Sequence, residues 1–284
     1  MAIITEKLTH IYQQGTPFEA KAVDEVSMHI RQGEFCGIIG HTGSGKTTLV
    51  QHFNGLLKPT SGTLSVLGID LNQKYDRKAL RMSVGLVFQY PEYQLFEETV
   101  EKDVGFGPRN LGLSEDEVKD RVREALEHVE LEYSDVADKS PFELSGGQKR
   151  RAAIAGVIAM RPKVLILDEP TAGLDPTGRK NILGMIVSLK KKTGCTIVMV
   201  SHNMDELSKL ADTIYVMNEG SVIASGAPKD VFANENELTR IGLDVPQLAR
   251  LGSALRRRGF FVPEGVFTAE EMAKHIAGKL KGDR

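Results

Sequence analysis

Two hydrophobic rhythms alternate along this chain. Residues 2–5 form a short β-rich run, and residues 25–30 carry the period of two expected of a half-buried strand, with Val26, Met28 and Ile30 separated by polar neighbours. Residues 35–39 are instead continuously apolar, the pattern of a strand covered on both faces. A glycine-rich turn follows, then a helix over about 45–54, closed by Gly55 and Pro59. Residues 63–66 and 83–88 predict two more strands. From 91 to about 159 the helical period takes over. Ser114 precedes Glu115, Asp116 and Glu117, an N-cap with acids in the first turn. Val118, Val122, Leu126 and Val129 then recur at spacings of four, four and three, one buried stripe. Alternation returns with a strand at 164–167, a helix at 178–192, a strand at 196–200, a helix at 204–211 and a strand at 213–217. This order predicts an α/β fold: a mainly parallel sheet, an antiparallel β-subdomain and an inserted helical subdomain. The domain reading is 1–232 with 91–159 inserted, then a helical C-terminal extension over 233–284. That tail is broken by Gly242, Pro246, Gly259 and Pro263, and its run Arg256-Arg257-Arg258 reads as a solvated helix end.

Composition narrows the function classes. The chain has 284 residues, 41% hydrophobic and 26% charged, enough for a well-buried core. A net charge of -2 gives no global reason to expect nucleic acid as a partner. Cys36 and Cys195 each lie in an apolar run, so a disulfide framework is not expected and a reducing compartment fits. Residues 1–10 lack the features of a signal peptide, and no run nears the ~18 apolar residues of a membrane span. Work at a membrane would depend on partners.

The chemistry begins with Gly40-His41-Thr42-Gly43-Ser44-Gly45-Lys46-Thr47, which satisfies the G-x-x-x-x-G-K-[ST] pattern between a strand and a helix. Glycines let backbone N–H groups turn toward an anion, and the helix N-terminus adds positive potential. Lys46 is expected on the β- and γ-phosphates of ATP and the Thr47 hydroxyl on Mg²⁺, with Thr48 at the edge of the same site. His41 reads as a spacer rather than a catalyst. The strand ending in Asp168 delivers a carboxylate to the edge where open α/β sheets bind ligands, suiting Asp168 to Mg²⁺. Glu169 is placed to polarise an attacking water as general base. Gln89, after the strand at 83–88, suits contact with both Mg²⁺ and that water; His202, after the strand at 196–200, suits a γ-phosphate oxygen. Asp175 follows on a tight turn. Leu144-Ser145-Gly146-Gly147-Gln148, lying between the phosphate loop and the paired acids, is the most informative run of all.

Together these motifs, over nearly the first 230 residues, resemble the ATP-binding subunits of ABC transporters, built on a P-loop NTPase core. The resemblance implies that Ser145, Gly146, Gly147 and Gln148 close on the γ-phosphate of a second subunit. It implies also that Gln89 senses a membrane subunit, Asp175 communicates across the dimer, and His202 is the switch histidine. Tyr12 resembles the aromatic residue that stacks on adenine, with Phe18 as the competing candidate. Phe88-Gln89-Tyr90-Pro91-Glu92-Tyr93-Gln94-Leu95-Phe96, Glu98-Thr99-Val100 and residues 103–108 carry a narrower resemblance, to the ATPases of energy-coupling-factor importers of vitamins and transition metals. The run 94–99 and the opening Gly15-Thr16-Pro17-Phe18 are similar to the second of their two ATPase types. This narrower resemblance implies a heterodimer with a related ATPase subunit, a membrane coupling subunit, a substrate-binding membrane subunit, and peripheral attachment at the cytoplasmic face. In such a transporter the C-terminal extension helps hold the dimer. A conventional ABC transporter ATPase is the alternative; a non-transport ABC ATPase fits less well, since the chain has one ATPase unit and no sustained heptads.

Overall fold

The computed structural model describes residues 1–260 and 262–282. The chain opens with β1 (Ile3–Tyr12) and β2 (Ala20–Ile30), paired antiparallel with Ile3 opposite Ile30. β1 runs well past residues 2–5 because a bulge absorbs Glu6 and Lys7: the register slips between Thr5 and Leu8, and Lys7 takes a φ of 49°. The bulge interrupts the alternation that would have marked the strand. Next come β3 (Phe35–Ile39), α1 (Lys46–Phe53), β4 (Ser61–Val66), β5 (Ile69–Asp70), α2 (Arg77–Ser83) and β6 (Val84–Val87). A 3₁₀ turn at Pro91–Gln94 leads into α3 (Val100–Asn110), α4 (Glu115–His128), α5 (Tyr133–Val136), a second 3₁₀ turn at Pro141–Glu143, and α6 (Gly146–Ile158). The α/β alternation resumes with β7 (Val164–Asp168), α7 (Pro176–Thr193), β8 (Thr196–Val200), α8 (Met204–Leu210), β9 (Thr213–Asn218) and β10 (Ser221–Gly226). The described residues end in α9 (Pro228–Ala233), α10 (Glu235–Arg240), α11 (Gln247–Arg257) and α12 (Ala269–Gly282).

Two sheets result. One is antiparallel, in the order β2-β1-β4-β5; the other runs β10-β9-β3-β8-β7-β6 and is parallel except for the β9–β10 hairpin. β10 is not evident in the hydrophobic pattern, because it is a half-exposed edge strand. A two-residue turn, Glu219 (φ 47°) and Gly220 (φ 82°), folds it back on β9.

The parallel strands are buried on both faces, and their side chains divide by parity. Phe35, Ile39, Leu165, Leu167, Ile197 and Met199 pack toward the helical subdomain and α7. Cys36, Ile38, Val164, Ile166, Val198 and Val200 pack toward α1 and the antiparallel sheet. Each fully buried Leu or Ile contributes about 2 kcal/mol, so this double coverage fixes strand order and register firmly. The register matters for function: Asp168 lies opposite Val200, Ile38 opposite Val200, and Val87 opposite Leu167. The loops after β3, β8, β7 and β6 therefore leave the sheet side by side, at its carboxyl edge. Both cysteines are free and buried, as expected without a disulfide framework. No helix among the described residues is long and apolar enough to cross a membrane.

Candidate nucleotide site

The loop after β3 wraps around its own lysine. Lys46 Nζ donates to the carbonyl oxygens of Gly40 and His41, both at 2.8 Å. Close packing requires glycine at two of its positions. A Cβ on Gly40 would lie 2.4 Å from the Met217 carbonyl oxygen, and Gly45 combines a φ of 96° with only 2.2 Å to the Ala22 oxygen. Ser44 is fully buried, with its N–H on the His41 oxygen at 3.2 Å. His41 faces the Thr42 oxygen and Asn218 Oδ1 (2.7 and 3.0 Å), which anchors the loop to the end of β9 and fits a spacer. Gly43 stands exposed at the loop's tip.

Beside this loop, Thr47 Oγ1 donates to Asp168 Oδ2 at 2.8 Å. Burial pushes the Asp168 carboxyl above its usual pKa, and burial pulls the Lys46 ammonium below its own. The carboxylates of Glu169 and Asp168 act in the opposite direction on Lys46. A buried acid of this kind, already touching a hydroxyl one residue past the lysine, is the donor set that suits Mg²⁺. The residues present fit the ion.

Glu169 follows in the left-handed region (φ 51°), with its N–H on the Val200 oxygen at 3.0 Å. That backbone turns its side chain away from the path of the strand. His202 Nδ1 lies 2.8 Å from Glu169 Oε2, at ion-pair distance but without the alignment of a hydrogen bond. Glu169 is nearly buried and His202 exposed, so the pair spans the rim of the cleft. Gln89 is exposed just beyond β6. Loop, acids, histidine and glutamine thus leave adjacent strand ends.

Tyr12 reaches this assembly and Phe18 does not. The Tyr12 hydroxyl is 3.2 Å from Thr48 Oγ1, whereas Phe18 is 78% exposed on the β1–β2 loop. The Tyr12 ring sits edge-on to His10 (4.5 Å between centroids), which in turn packs on His52 at 4.8 Å. Ser145, Gly146, Gly147 and Gln148 stand apart on the helical subdomain. Ser145 caps α6 in a capping box with Gln148, and nothing lies within 4 Å of a Cβ built on either glycine. Among the described residues nothing covers these two glycines. Asp175 is exposed and caps α7, accepting from the Gly178 N–H at 2.8 Å, so that helix begins at Pro176 rather than 178.

Two features are not legible along the chain. The His10–His52 pair is hidden because its members are 42 residues apart. Arg150 is hidden in the charged run Lys149-Arg150-Arg151, yet it is 2% exposed. A signal exists: Arg150, Ile154 and Ile158 recur every fourth residue on the buried stripe of α6.

A phosphate-binding loop beside a carboxylate strand, with an exposed signature helix on an inserted helical arm, defines an ABC-type ATPase. Residues 23–172 match the ABC transporter family model, and the chain belongs to that family. Within it, the chain falls among the energy-coupling factor transporter ATP-binding proteins. It is 54% identical over 284 residues to energy-coupling factor transporter ATP-binding protein EcfA2 of Clostridioides difficile, and 56% identical over 282 residues to EcfA2 of Clostridium acetobutylicum, with 99% of each chain covered in both cases. Among solved structures, cbiO1 from Clostridium perfringens, part of the ABC transporter complex cbiONQ, aligns with a TM-score of 0.75 at 43% identity over 90% of this chain and 98% of that one. The dimeric ABC transporter cassette MJ0796, in a post-hydrolysis state with ADP and Pi, aligns at 0.71 and 30% identity over 80% and 98%.

Proposed function

We propose that this chain binds and hydrolyses ATP as a motor subunit of an energy-coupling-factor importer, paired with a second, related ATPase at the cytoplasmic face of the membrane. The observation that carries the reading is the convergence of Lys46, Thr47, Asp168, Glu169 and His202 at one sheet edge, while the signature helix presents an open, uncovered N-terminus elsewhere. A single chain therefore supplies two half-sites, and two chains facing head to tail complete both. Lys46 leaves its loop carbonyls for the β- and γ-phosphates; Glu169 takes the proton of the attacking water; His202 donates to a γ-phosphate oxygen. Tyr12 stacks on the adenine. Thr47, Asp168 and Gln89 hold Mg²⁺, which when bound neutralises phosphate charge. Ser145, Gly146, Gly147 and Gln148 close on the nucleotide of the other subunit, where the N-terminus of α6 adds positive potential. Asp175 faces the same interface. ATP binding closes the dimer because the closed state binds ATP more tightly; hydrolysis reopens it.

A groove of about 730 Å³ lies between α2 and the helical subdomain. Phe96 and Phe106 meet edge to face at 5.1 Å along it, and Arg77 and Arg81 form one rim. An apolar helix carrying an acid, from the membrane coupling subunit, fits this chemistry. The transported vitamin or transition-metal ion is selected by a separate substrate-binding membrane subunit. We assign residues 233–284 as an extension that helps to hold the ATPase dimer.

Purification from native membranes tests the assembly: mass spectrometry is expected to recover a different ATPase, one membrane coupling subunit and small binding proteins. Recovery of only this ATPase with a conventional pair of membrane subunits rejects the coupling-factor assembly. Glu169→Gln tests the chemistry, with turnover expected to fall about a hundredfold or more while an ATP-bound closed dimer accumulates on size-exclusion chromatography. Hydrolysis at the native rate would remove Glu169 as general base.

A further inference from the structure

Arg150 is a buried charge that nothing in the nucleotide chemistry requires, and each of its three guanidinium nitrogens is hydrogen-bonded. Its Nε and Nη2 donate to Glu92 Oε2 and Oε1 at 2.9 and 2.7 Å, a bidentate fork. Its Nη1 donates to the carbonyl oxygens of Ala172 and Pro170, at 2.7 and 3.3 Å. The guanidinium carbon sits 5.8 Å from the centroid of the Tyr90 ring. That ring also rests on the loop, since a Cβ on Gly173 would lie 3.4 Å from Tyr90 Cε1. Tyr90 directly follows Gln89 and Glu92 lies two residues further on; Arg150 is on the signature helix; residues 170–174 join Glu169 to Asp175. The same loop is tied on its other side, where Thr171 Oγ1 meets Glu206 Oε2 at 3.0 Å and Asn203, next to His202, donates to Glu206 Oε1 at 3.1 Å.

Taking a guanidinium out of water is costly, and an apolar side chain of similar volume would pack α6 as well or better. What an apolar residue lacks is the directional hold on three segments. We propose that Arg150 is a positioning residue that clamps the segment after Gln89, the signature helix and the loop from Glu169 to Asp175 into one unit, so that displacement at the groove reaches both half-sites together. The clamp acts without touching ATP, and the proposal rests on the ATPase reading given above.

The test uses the intact complex purified from its native membranes, carrying Arg150→Gln, Arg150→Lys, Glu92→Gln or the double variant Glu92→Gln/Arg150→Gln. ATP hydrolysis is measured against ATP concentration, with binding of a fluorescent ATP analogue and amide hydrogen exchange alongside. Arg150→Gln and Glu92→Gln are each expected to lower kcat about tenfold with KM and analogue affinity nearly unchanged. The double variant is expected to fall no further than Arg150→Gln, and Arg150→Lys to recover part of the loss. Exchange is expected to rise across 170–174 and stay unchanged across 40–47. Unaltered kcat in folded Arg150→Gln, single losses that multiply in the double variant, or analogue binding lost together with kcat would each overturn the clamp. Should Arg150→Gln fail to fold, Glu92→Gln and Arg150→Lys decide the matter by the same readouts. Failure of the unaltered complex to bind the analogue or hydrolyse ATP would reject the ATPase reading instead, a separate result.

Discussion

At the scale of single residues, burial sets the charge states around the phosphate loop. Asp168 and Lys46 are driven toward their neutral forms by desolvation, and the charge of each offsets part of that for the other. Around His52 only backbone hydrogen bonds, that to Thr48 foremost, work against burial, and they do not offset it. His52 is wholly buried on α1, with Nδ1 2.7 Å from the Thr48 carbonyl oxygen and Nε2 3.1 Å from His10 Nδ1. A carbonyl only accepts, so His52 Nδ1 carries a proton; His10 Nδ1, which also lies 3.1 Å from the Lys58 carbonyl oxygen, carries one too and shares it between that oxygen and His52 Nε2. Burial, with the neighbouring His10 adding to it, pulls the His52 pKa down to about 4. Between that value and the ~6.5 of a free histidine, the unfolded chain binds a proton that the folded chain refuses. The contribution is whole above pH ~6.5 and lost as pH falls through 4, a change on the order of 3 kcal/mol. Thermal unfolding between pH 7 and 4.5 is expected to show a falling midpoint, with a shallower fall in His52→Gln. An identical slope in both proteins would assign the acid sensitivity to other groups.

At the scale of elements, the same capping device serves two ends. Ser114 and Glu117 close a capping box on α4, and Ser145 and Gln148 close another on α6. In both, the serine Oγ accepts from the third helical N–H at 3.4 Å. The first box only starts a helix. The second leaves an exposed N-terminus beside two glycines with open space around them, the geometry of an anion site. Ser114→Ala and Ser145→Ala are therefore each expected to cost about 1 kcal/mol in urea denaturation. Only Ser145→Ala is expected also to depress ATP turnover, by about tenfold or more. Equal turnover in the two variants would confine Ser145 to capping.

For the whole molecule, the C-terminal extension is not a detached tail. Its Leu238, Leu243, Val245 and Phe267 join the core cluster on the helical side of the parallel sheet, and Phe267 meets Phe232 of the ATPase domain edge to face at 5.8 Å. Val262, Val266 and Met272 form a satellite cluster of their own. Removing the chain after Asp230 is expected to weaken subunit association more than ATP binding, and also to lower thermal stability by uncovering α8 and β9. Light scattering together with analogue binding separates these effects, and unchanged assembly of the shortened chain would reject a role in dimerisation.

The sequence alone determined the chemistry that is local. The phosphate loop, the acid strand and the signature are contiguous runs, each legible without knowing which segments lie beside it in space. It also determined most of the elements, because double-sided burial writes continuous apolar runs and a helical stripe writes spacings of three and four. Tertiary structure decided what is far apart in the chain. Parallel pairing of β3, β8 and β7, joined by long crossovers, brought Lys46, Asp168 and His202 together, and the period of a strand carries no record of its neighbours. Folding set Tyr12, not Phe18, beside Thr48, and it paired Arg150, one member of a charged run, with Glu92 across 58 residues. Hydrophobic period is a property of one segment, whereas a buried polar contact is made between two, and only the folded chain specifies which two.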